Sequence, residues 1–263
     1  MSKPYIVFVT GSFAPPPFYD NIVALIKDKG YEIKVLHLPT VGLGPGKGRP
    51  GPPPSMYDDA DFIAKEVETL ADAGREIVLF AHSYGGMPAT QSTKGLSIQE
   101  RQKAGKTGGI KRLAYKTVIL TDVGQSSLDF FKGAAWSPDF KPDDDGWFRQ
   151  ENPELSAPYT FSDLSTEEAL VWNAKFSFHS ARSFTDPLDY AGYRDIPVSY
   201  LLCEKDQIIS PELQQKGIDL INAAKKAGNA GEVDVTRFQS GHCPNTFVPK
   251  EVVEWIIATA NKS

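Results

Sequence analysis

The stretch that decides the fold is "REIVLFAHSYGGMPAT", residues 75 to 90. Its apolar run from Ile77 to Ala81 predicts a buried strand, and the residues after it, which include Gly, Met and Ala, can form a helix. Ser83 would lie on the sharp turn between strand and helix, where the backbone is most crowded. Such a turn closes only between small neighbours, and Ala81 and Gly85 lie two residues to either side. The stretch therefore predicts a strand–turn–helix unit with a serine at its corner.

Short apolar runs recur along the chain, and stretches with helical spacing separate most of them. The runs span residues 5–10, 31–38, 76–81, 116–121, 196–203 and 233–238. Strands that alternate with helices predict right-handed βαβ units, in which a parallel sheet is covered by helices on both faces. A chain of 263 residues is long enough for one such core. We expect an α/β fold, doubly wound, with a mainly parallel sheet of about six strands and an inserted cap.

Two segments interrupt this alternation. Residues 38–55 contain too much Gly and Pro for a helix or strand, and they predict a long connection that leaves the carboxyl end of a strand. Residues 124–195 contain no clear strand, and we interpret them as a cap inserted between two core segments, residues 1–123 and 196–263. Three of the four tryptophans lie in this cap: Trp136, Trp147 and Trp172. The alternative is an irregular surface elaboration whose aromatic side chains pack only against each other.

The charge balance disfavours a nucleic-acid partner. The chain has 28 basic and 33 acidic residues, for a formal net charge of −5, and it offers no positive field to a phosphate backbone. A basic run at residues 94–112 holds six basic side chains and one acidic one. Charge runs usually form solvated faces, and we assign this one no function.

The first residues and the cysteines favour a cytoplasmic protein without a membrane partner. The opening "MSKPYIVFVTGS" has an apolar run far too short for a signal peptide or a membrane span. The two cysteines, Cys203 and Cys243, fit free thiols in a reducing compartment. Neither they nor the histidines form a zinc pattern, so we expect no metal and no cofactor. The oligomeric state, including a homodimer, stays open.

Three residues with the right chemistry for acyl transfer follow strands. Ser83 follows the third apolar run, Asp206 follows the fifth and His242 follows the sixth. In an open α/β sheet, functional residues gather beyond the carboxyl ends of the strands. A serine hydroxyl becomes a good nucleophile when an imidazole takes its proton and a carboxylate orients that imidazole. The order Ser, Asp, His along the chain is the one associated with a serine on a strand-to-helix turn.

Each of these residues also has a structural explanation. Ser83 could be a helix N-cap, and Asp206 could cap the helix that begins near Pro211. Asp122 also follows an apolar run and is a rival for the carboxylate role. Three other histidines compete with the one in the last loop: His37, His82 and His179. Of these, His82 should point away from the serine, and His37 lies inside a predicted strand.

The sequence resembles the α/β-hydrolase superfamily over nearly its whole length. It is most similar to the small branch that includes plant-type methylesterases, hydroxynitrile lyases and many bacterial and fungal hydrolases. The matching stretches are "VTGSF", "MYDDADFI", "AHSYGG", "FTDPLDYAGYRDIPVSYLLCEKDQIISPELQ" and "SGHCPN". The serine motif departs from G-x-S-x-G because Ala81 replaces the first Gly, and alanine is small enough for the turn.

The resemblance implies a role for each site residue. Ser83 would be the nucleophile, His242 the base and Asp206, rather than Asp122, the orienting acid. The backbone N–H groups of Ser12 and Tyr84 would form the oxyanion hole. Candidate substrate-binding residues are Phe13, Trp136, Trp147, Trp172, Phe178 and His179.

The resemblance also orders the candidate activities. A serine on the turn argues against haloalkane dehalogenases and epoxide hydrolases, which use an aspartate there. Hydroxynitrile lyases of this branch use a Thr and a Lys where this chain has Gly11 and Cys243. We expect a serine hydrolase that binds a small or medium, largely uncharged ester or lactone and forms an acyl-enzyme on Ser83. The alternatives are an enzyme of secondary metabolism that catalyses cyclisation or C–C bond cleavage, and a ligand-binding protein that does not turn over.

Overall fold

The computed structural model describes residues 3–132, 141–227 and 231–262. The strands in these ranges are β1 (Tyr5–Val9), β2 (Ile33–Leu36), β3 (Glu76–His82), β4 (Gly109–Lys116), β5 (Trp147–Phe148), β6 (His179–Ser180), β7 (Val198–Cys203) and β8 (Asp234–Phe238). A six-stranded sheet has the order β2-β1-β3-β4-β7-β8, and all of its neighbouring strands are parallel. Strands β5 and β6 form a short antiparallel pair. The predicted fold class, an α/β fold with a parallel sheet of six strands, is confirmed.

Helices flank the sheet. Those in the described ranges are α1 (Asp20–Asp28), α2 (Met56–Asp72), α3 (Gly86–Gln91), α4 (Ile98–Lys103), α5 (Ser127–Phe130), α6 (Pro153–Thr160), α7 (Thr166–Asn173), α8 (Pro211–Ala227), α9 (Pro244–Phe247) and α10 (Pro249–Ala260). Helix α1 contacts α10, and α2 contacts α3 and β4. In the parts of the chain that are described, no helix is both long and apolar enough to cross a membrane.

The central strand β3 shows why the sequence forms this sheet. Every residue from Ile77 to His82 is buried. A parallel strand covered on both faces needs a continuous apolar run rather than an alternating one. The Phe80 ring packs edge-on against the Trp255 ring of α10, with 5.7 Å between ring centroids. Burial on both faces holds β3 rigidly, so the turn at its carboxyl end is presented in a defined place.

The fourth strand differs from the prediction. The apolar run at 116–121 predicted a strand, whereas β4 ends at Lys116 and the residues after it lie outside the sheet. Val118 and Ile119 are nevertheless buried, because they pack behind the serine turn, where the Ile119 N–H donates to the Ser83 carbonyl at 3.0 Å. Their apolar character reflects this contact rather than strand formation.

The basic run at residues 94–112 is not uniformly a solvated face, and that prediction is wrong for two of its arginines. Arg101 and Arg112 are 2% and 7% exposed. The Arg101 guanidinium donates to Asp72 Oδ1 at 2.7 Å and to the Thr107 carbonyl at 3.0 Å. A long side chain of this kind buries its stem and keeps its charge paired, so its burial is not visible from charge alone.

The Gly- and Pro-rich segment at 38–55 is bound to the β5–β6 pair. The Gly42 N–H donates to the Phe178 carbonyl at 2.9 Å, and the Ser180 N–H donates to the Thr40 carbonyl at 2.9 Å. The described part of residues 124–195 contains α5, β5, α6, α7 and β6. Its separation from the rest of the chain as a distinct cap stays a prediction.

Candidate active site

Ser83 lies on a crowded turn between β3 and α3. It begins a 3-10 turn (Ser83–Gly85) with a φ of 54°, a left-handed conformation that is uncommon for residues other than glycine. A Cβ atom at Gly85 would lie 2.5 Å from the Thr10 carbonyl oxygen, and one at Gly86 would lie 2.5 Å from Val118 Cβ. Both glycines are therefore needed for the close approach of the backbone. The strained φ is the geometry expected of a nucleophile on a strand-to-helix corner.

The structure brings the side chains of Ser83, Asp206 and His242 together. His242 Nε2 is 3.0 Å from Ser83 Oγ, and His242 Nδ1 is 2.8 Å from Asp206 Oδ2. All three residues are buried, with 7%, 3% and 4% of their surface exposed for the serine, the aspartate and the histidine respectively. The carboxylate accepts from Nδ1–H, which leaves Nε2 free to take the proton of the serine hydroxyl.

The Asp206 carboxylate is fixed in place by backbone donors. Its Oδ1 atom accepts from the Ile208 and Ile209 N–H groups at 2.8 and 2.9 Å. Its Oδ2 atom also accepts from Gln214 Nε2 at 3.3 Å. The rival carboxylate, Asp122, is half exposed and pairs instead with Arg194 at 3.3 Å. Of the two candidates, Asp206 is the one that contacts the histidine.

The loop after β1 passes directly beside the serine. A Cβ atom at Gly11 would lie 3.1 Å from Ser83 Cβ, so the next residue, Ser12, is also close. Ser12 lines the same cavity as Ser83. Tyr84 is the second residue of the 3-10 turn, and the first N–H groups of a helical turn lack internal acceptors. These positions suit N–H groups that bind an oxygen anion above Ser83.

A cavity of about 550 Å³ opens onto Ser83 and His242. Its inner wall is formed by buried apolar side chains, chiefly Phe13, Phe18, Ile119, Phe131, Phe176 and Phe184. Exposed residues of the 141–159 region line its outer part, among them Lys141, Arg149 and Glu151. The cavity therefore has an aromatic interior and a polar, open rim.

Comparison with known proteins agrees with this geometry. A model of the Alpha/beta hydrolase family matches residues 6–255. The chain belongs to this family. It is 35% identical over 260 residues to a probable hydrolase, R7, of Phoma sp. (strain ATCC 20986 / MF5453), and the match covers 99% of each protein. It is 26% identical over 274 residues to the alpha/beta hydrolase nvfD of Aspergillus novofumigatus (strain IBT 16806), covering 100% of this chain and 99% of the relative.

Solved structures share the fold of this α/β hydrolase. An extracellular alpha/beta-hydrolase from a Paenibacillus species, which shares structural and functional homology with Tobacco Salicylic Acid Binding Protein 2, matches with a TM-score of 0.73 and 15% identity. The match covers 98% of this chain and 100% of that chain. The predicted membership of the α/β-hydrolase superfamily is confirmed.

The candidate substrate-binding residues of this α/β hydrolase lie in different places. Phe13 lines the cavity. Trp147 is buried and packs against Gly48, where a Cβ atom would lie 2.9 Å from the indole ring. The Trp172 ring meets the Phe18 ring edge-on at 5.3 Å, so it supports the cavity wall from outside. Trp136 lies outside the described residues.

Neither Phe178 nor His179 is among the residues that line the cavity. The Arg149 guanidinium lies over the Phe178 ring, 4.6 Å from the ring centroid. The His179 ring is buried edge-on against the Tyr84 ring at 4.5 Å, and its Nε2 atom is 3.1 Å from Ser183 Oγ. Burial lowers the pKa of His179 to about 3, so this imidazole is neutral at physiological pH.

Sequence reasoning missed several wall residues of the hydrolase. Phe18, Phe131 and Phe184 line the cavity but lie far apart in sequence and share no motif. Phe18 had one usable signal, because it follows the Pro15–Pro17 run directly after the loop that carries Ser12. In the ranges 3–132, 141–227 and 231–262, no group of three or more His, Cys, Asp or Glu side chains is arranged to hold a metal ion.

Proposed function

We propose that this α/β hydrolase is a serine hydrolase that cleaves a small or medium, largely uncharged ester or lactone through an acyl-enzyme on Ser83. The observation that carries the proposal is the contact of 3.0 Å between Ser83 Oγ and His242 Nε2 at the inner end of the cavity. A serine in hydrogen-bond contact with an imidazole, which is itself held by a carboxylate, is the arrangement that activates a hydroxyl for attack on an acyl carbon.

The first half of the reaction forms the acyl-enzyme. Ser83 Oγ attacks the carbonyl carbon of the ester while His242 Nε2 takes the hydroxyl proton. The carbonyl oxygen becomes an oxyanion, which the N–H groups of Ser12 and Tyr84 bind. When the intermediate collapses, the bond between the acyl carbon and the alkoxy oxygen breaks, and His242 returns the proton to the leaving alcohol.

The second half repeats these steps with water. His242 takes a proton from the water molecule as its oxygen attacks the acyl carbon, and the same donors stabilise the second oxyanion. The bond from the acyl carbon to Ser83 Oγ breaks, and the imidazole returns its proton to the serine. Asp206 stabilises the imidazolium that forms in each half. The products are an acid and an alcohol, or a hydroxy acid when the substrate is a lactone.

The cavity supports an uncharged, ring-containing acyl or alkoxy group. Its volume of about 550 Å³ lies in the range typical of pockets for drug-sized molecules. The five phenylalanine rings of the wall offer stacking and edge contacts: Phe13, Phe18, Phe131, Phe176 and Phe184. A charged group in this interior would lose its hydration without a paired partner, whereas polar substituents can reach the open rim.

The residue after His242 favours hydrolysis over lyase chemistry. Cys243 lines the cavity, and burial raises the pKa of its thiol. A neutral thiol in this place gives a departing anion less stabilisation than a cation would. Acyl transfer needs no cation at this position, because Ser83, His242 and the two backbone N–H donors supply the groups that the reaction uses.

A panel of p-nitrophenyl esters and aryl lactones tests the proposal. The wild-type protein should release product and label with a fluorophosphonate probe, whereas Ser83→Ala should lose labelling and lower kcat by several orders of magnitude. Ser92→Ala is the matched control, because this buried hydroxyl donates to the Ala89 carbonyl, away from the cavity wall. Equal turnover by wild type and Ser83→Ala would end the proposal. A folded wild-type protein that neither turns over nor labels would favour ligand binding without catalysis.

A further inference from the structure

We propose that Tyr19 and His82 form a positioning pair that holds the oxyanion loop and the loop of the catalytic histidine in register beneath Ser83. This inference rests on the proposed function, because it assigns the pair to the same acyl-transfer site. Neither side chain belongs to the set of Ser83, Asp206 and His242. The pair acts through the backbone of Gly11 and the backbone of His242.

A continuous chain of buried hydrogen bonds joins these two loops. The Gly11 N–H donates to Tyr19 Oη at 3.1 Å, and Tyr19 Oη is 2.8 Å from His82 Nδ1. His82 Nε2 is in turn 3.1 Å from the His242 carbonyl oxygen. Gly11 directly precedes Ser12, and His82 directly precedes Ser83. This series of hydrogen bonds therefore begins at the residue before an oxyanion donor, passes through the residue before the nucleophile, and ends at the backbone of the base.

The direction of every donor in this chain follows by elimination. A carbonyl oxygen only accepts, so His82 Nε2 must carry a proton and donate to His242 O. Burial and the nearby Lys116 charge lower the pKa of His82 well below its usual value, so the ring is neutral and Nδ1 is an acceptor. Tyr19 Oη then donates to Nδ1 and keeps a lone pair for the Gly11 N–H. Each polar atom has one compatible role.

Burial makes this arrangement specific. Tyr19 is 0% exposed and His82 is 3% exposed, so the Tyr19 hydroxyl is shielded from bulk water that could replace a lost partner. A buried donor or acceptor that loses its partner destabilises the folded state. A shift of either loop would break at least one of the three hydrogen bonds. These hydrogen bonds therefore keep Gly11, Ser83 and His242 at their observed separations.

A second set of donors holds the same carbonyl and the same loop. The Thr117 hydroxyl donates to His242 O at 3.3 Å, and Lys116 Nζ donates to Asn245 Oδ1 at 2.8 Å. Thr117 has a φ of 47°. The backbone of His242 is thus held by residues at the ends of β3 and β4, and its imidazole is held by Asp206. Loss of Tyr19 Oη should loosen the register of the loops without unfolding the protein.

The first test replaces one buried tyrosine hydroxyl and compares it with another. Tyr19→Phe removes the acceptor of Gly11 and the donor to His82. Its matched control is Tyr115→Phe, because Tyr115 is also fully buried and its hydroxyl is 2.7 Å from Thr90 Oγ1. We expect Tyr19→Phe to lower kcat on an aryl ester about tenfold, with KM within twofold, since small displacements of catalytic groups strongly reduce rate. Tyr115→Phe should leave kcat unchanged.

The second test changes the hydrogen-bonding groups of the His82 side chain. A Gln side chain can place an N–H near the position of the imidazole Nε2–H, so His82→Gln should retain most of the wild-type kcat. His82→Leu removes every polar atom and should lower kcat by about tenfold or more. Rescue by Gln distinguishes positioning from simple packing. Equal kcat losses in Gln and Leu variants, or in Tyr19→Phe and Tyr115→Phe, would overturn the inference.

A third measurement does not depend on activity. The ¹⁵N chemical shifts of the His82 ring should report a neutral imidazole protonated at Nε2 from pH 7 to 9, and Tyr19→Phe should perturb the Nδ1 signal. Titration of the ring in this range, or protonation at Nδ1, would refute the positioning pair even if no substrate were found. Normal His82 signals in a protein without esterase activity or fluorophosphonate labelling would instead refute the proposed function and leave the hydrogen-bond chain intact.

Discussion

The hydroxyl of Tyr84, the residue after Ser83, donates a hydrogen bond of 2.9 Å to the fully buried carboxylate of Asp59. The backbone N–H and the hydroxyl of Thr40 donate to the same carboxylate at 2.9 and 2.6 Å. One acidic group of α2 thus ties the serine turn to the Gly- and Pro-rich segment that follows β2. Its ionisation state links the stability of this region to pH.

Asp59→Asn should change how stability depends on pH. Burial raises the pKa of Asp59 to about 7, although its hydrogen bonds oppose the shift. Because folding raises this pKa, the folded state holds the proton more tightly, and the stability that Asp59 contributes falls as pH rises from about 4 to about 7. Each unit of raised pKa corresponds to roughly 1.4 kcal/mol. Urea unfolding of both proteins at pH 4, 5.5 and 8 measures the free energy of unfolding of each. The value for the wild type minus the value for Asp59→Asn should fall as pH rises. A difference that stays constant with pH contradicts the prediction.

Gly85→Ala should destabilise the protein and reduce its activity. The new Cβ atom would lie 2.5 Å from the Thr10 carbonyl oxygen, so the turn or the β1 loop must move. We expect a loss of about 1–3 kcal/mol in the free energy of unfolding and slower fluorophosphonate labelling. Gly44→Ala is the control, because a Cβ atom there has no neighbour within 4 Å. Equal stability of the two variants would show that the turn can relax.

Asp206→Asn should lower kcat about a thousandfold or more, because an amide cannot stabilise the imidazolium and favours the wrong tautomer. Asp122→Asn should leave kcat within twofold, since Asp122 pairs with Arg194 away from the histidine. Steady-state kinetics on one p-nitrophenyl ester compares the two variants. A large loss in the Asp122 variant alone would reassign the carboxylate.

Phe176→Leu should raise KM for aryl esters several-fold and change kcat less, because the ring contributes binding surface to the cavity wall. Phe80→Leu makes the same change in the core, where the ring packs on Trp255. It should lower thermal stability without altering KM. Equal KM values of the two variants for short alkyl esters would show that the effect depends on the aromatic group of the substrate. If the KM of Phe176→Leu for aryl esters stays at the wild-type value, the aromatic wall is not a binding surface.

The site was more predictable from sequence than the cavity. Ser83, Asp206 and His242 could be singled out because each follows a strand, and parallel strands end at one edge of a sheet. The apolar run predicts the fourth strand too late in the chain, because Val118 and Ile119 are apolar for a different reason, their packing behind the serine turn. Local periodicity does not separate these two causes of burial.

The cap aromatics show where sequence reasoning ends. Large aromatic side chains often line pockets, which predicts such a role for Trp147 and Trp172, yet Trp147 packs on Gly48 and Trp172 supports Phe18 from outside. Which face of a side chain meets the cavity depends on the loop that packs behind it. That loop is remote in sequence, and no pattern within the segment reports it.

The sequence by itself determined the α/β class, the parallel sheet, the serine turn and the chemical identity of the three side chains beneath the cavity, because strand runs, glycine positions and residue types are local properties. Only the tertiary structure decided that Phe18 and Phe184 form the wall, and that Tyr19 meets His82. These are distances between remote segments. They depend on how buried side chains of several elements pack together, and packing is a property of the whole fold.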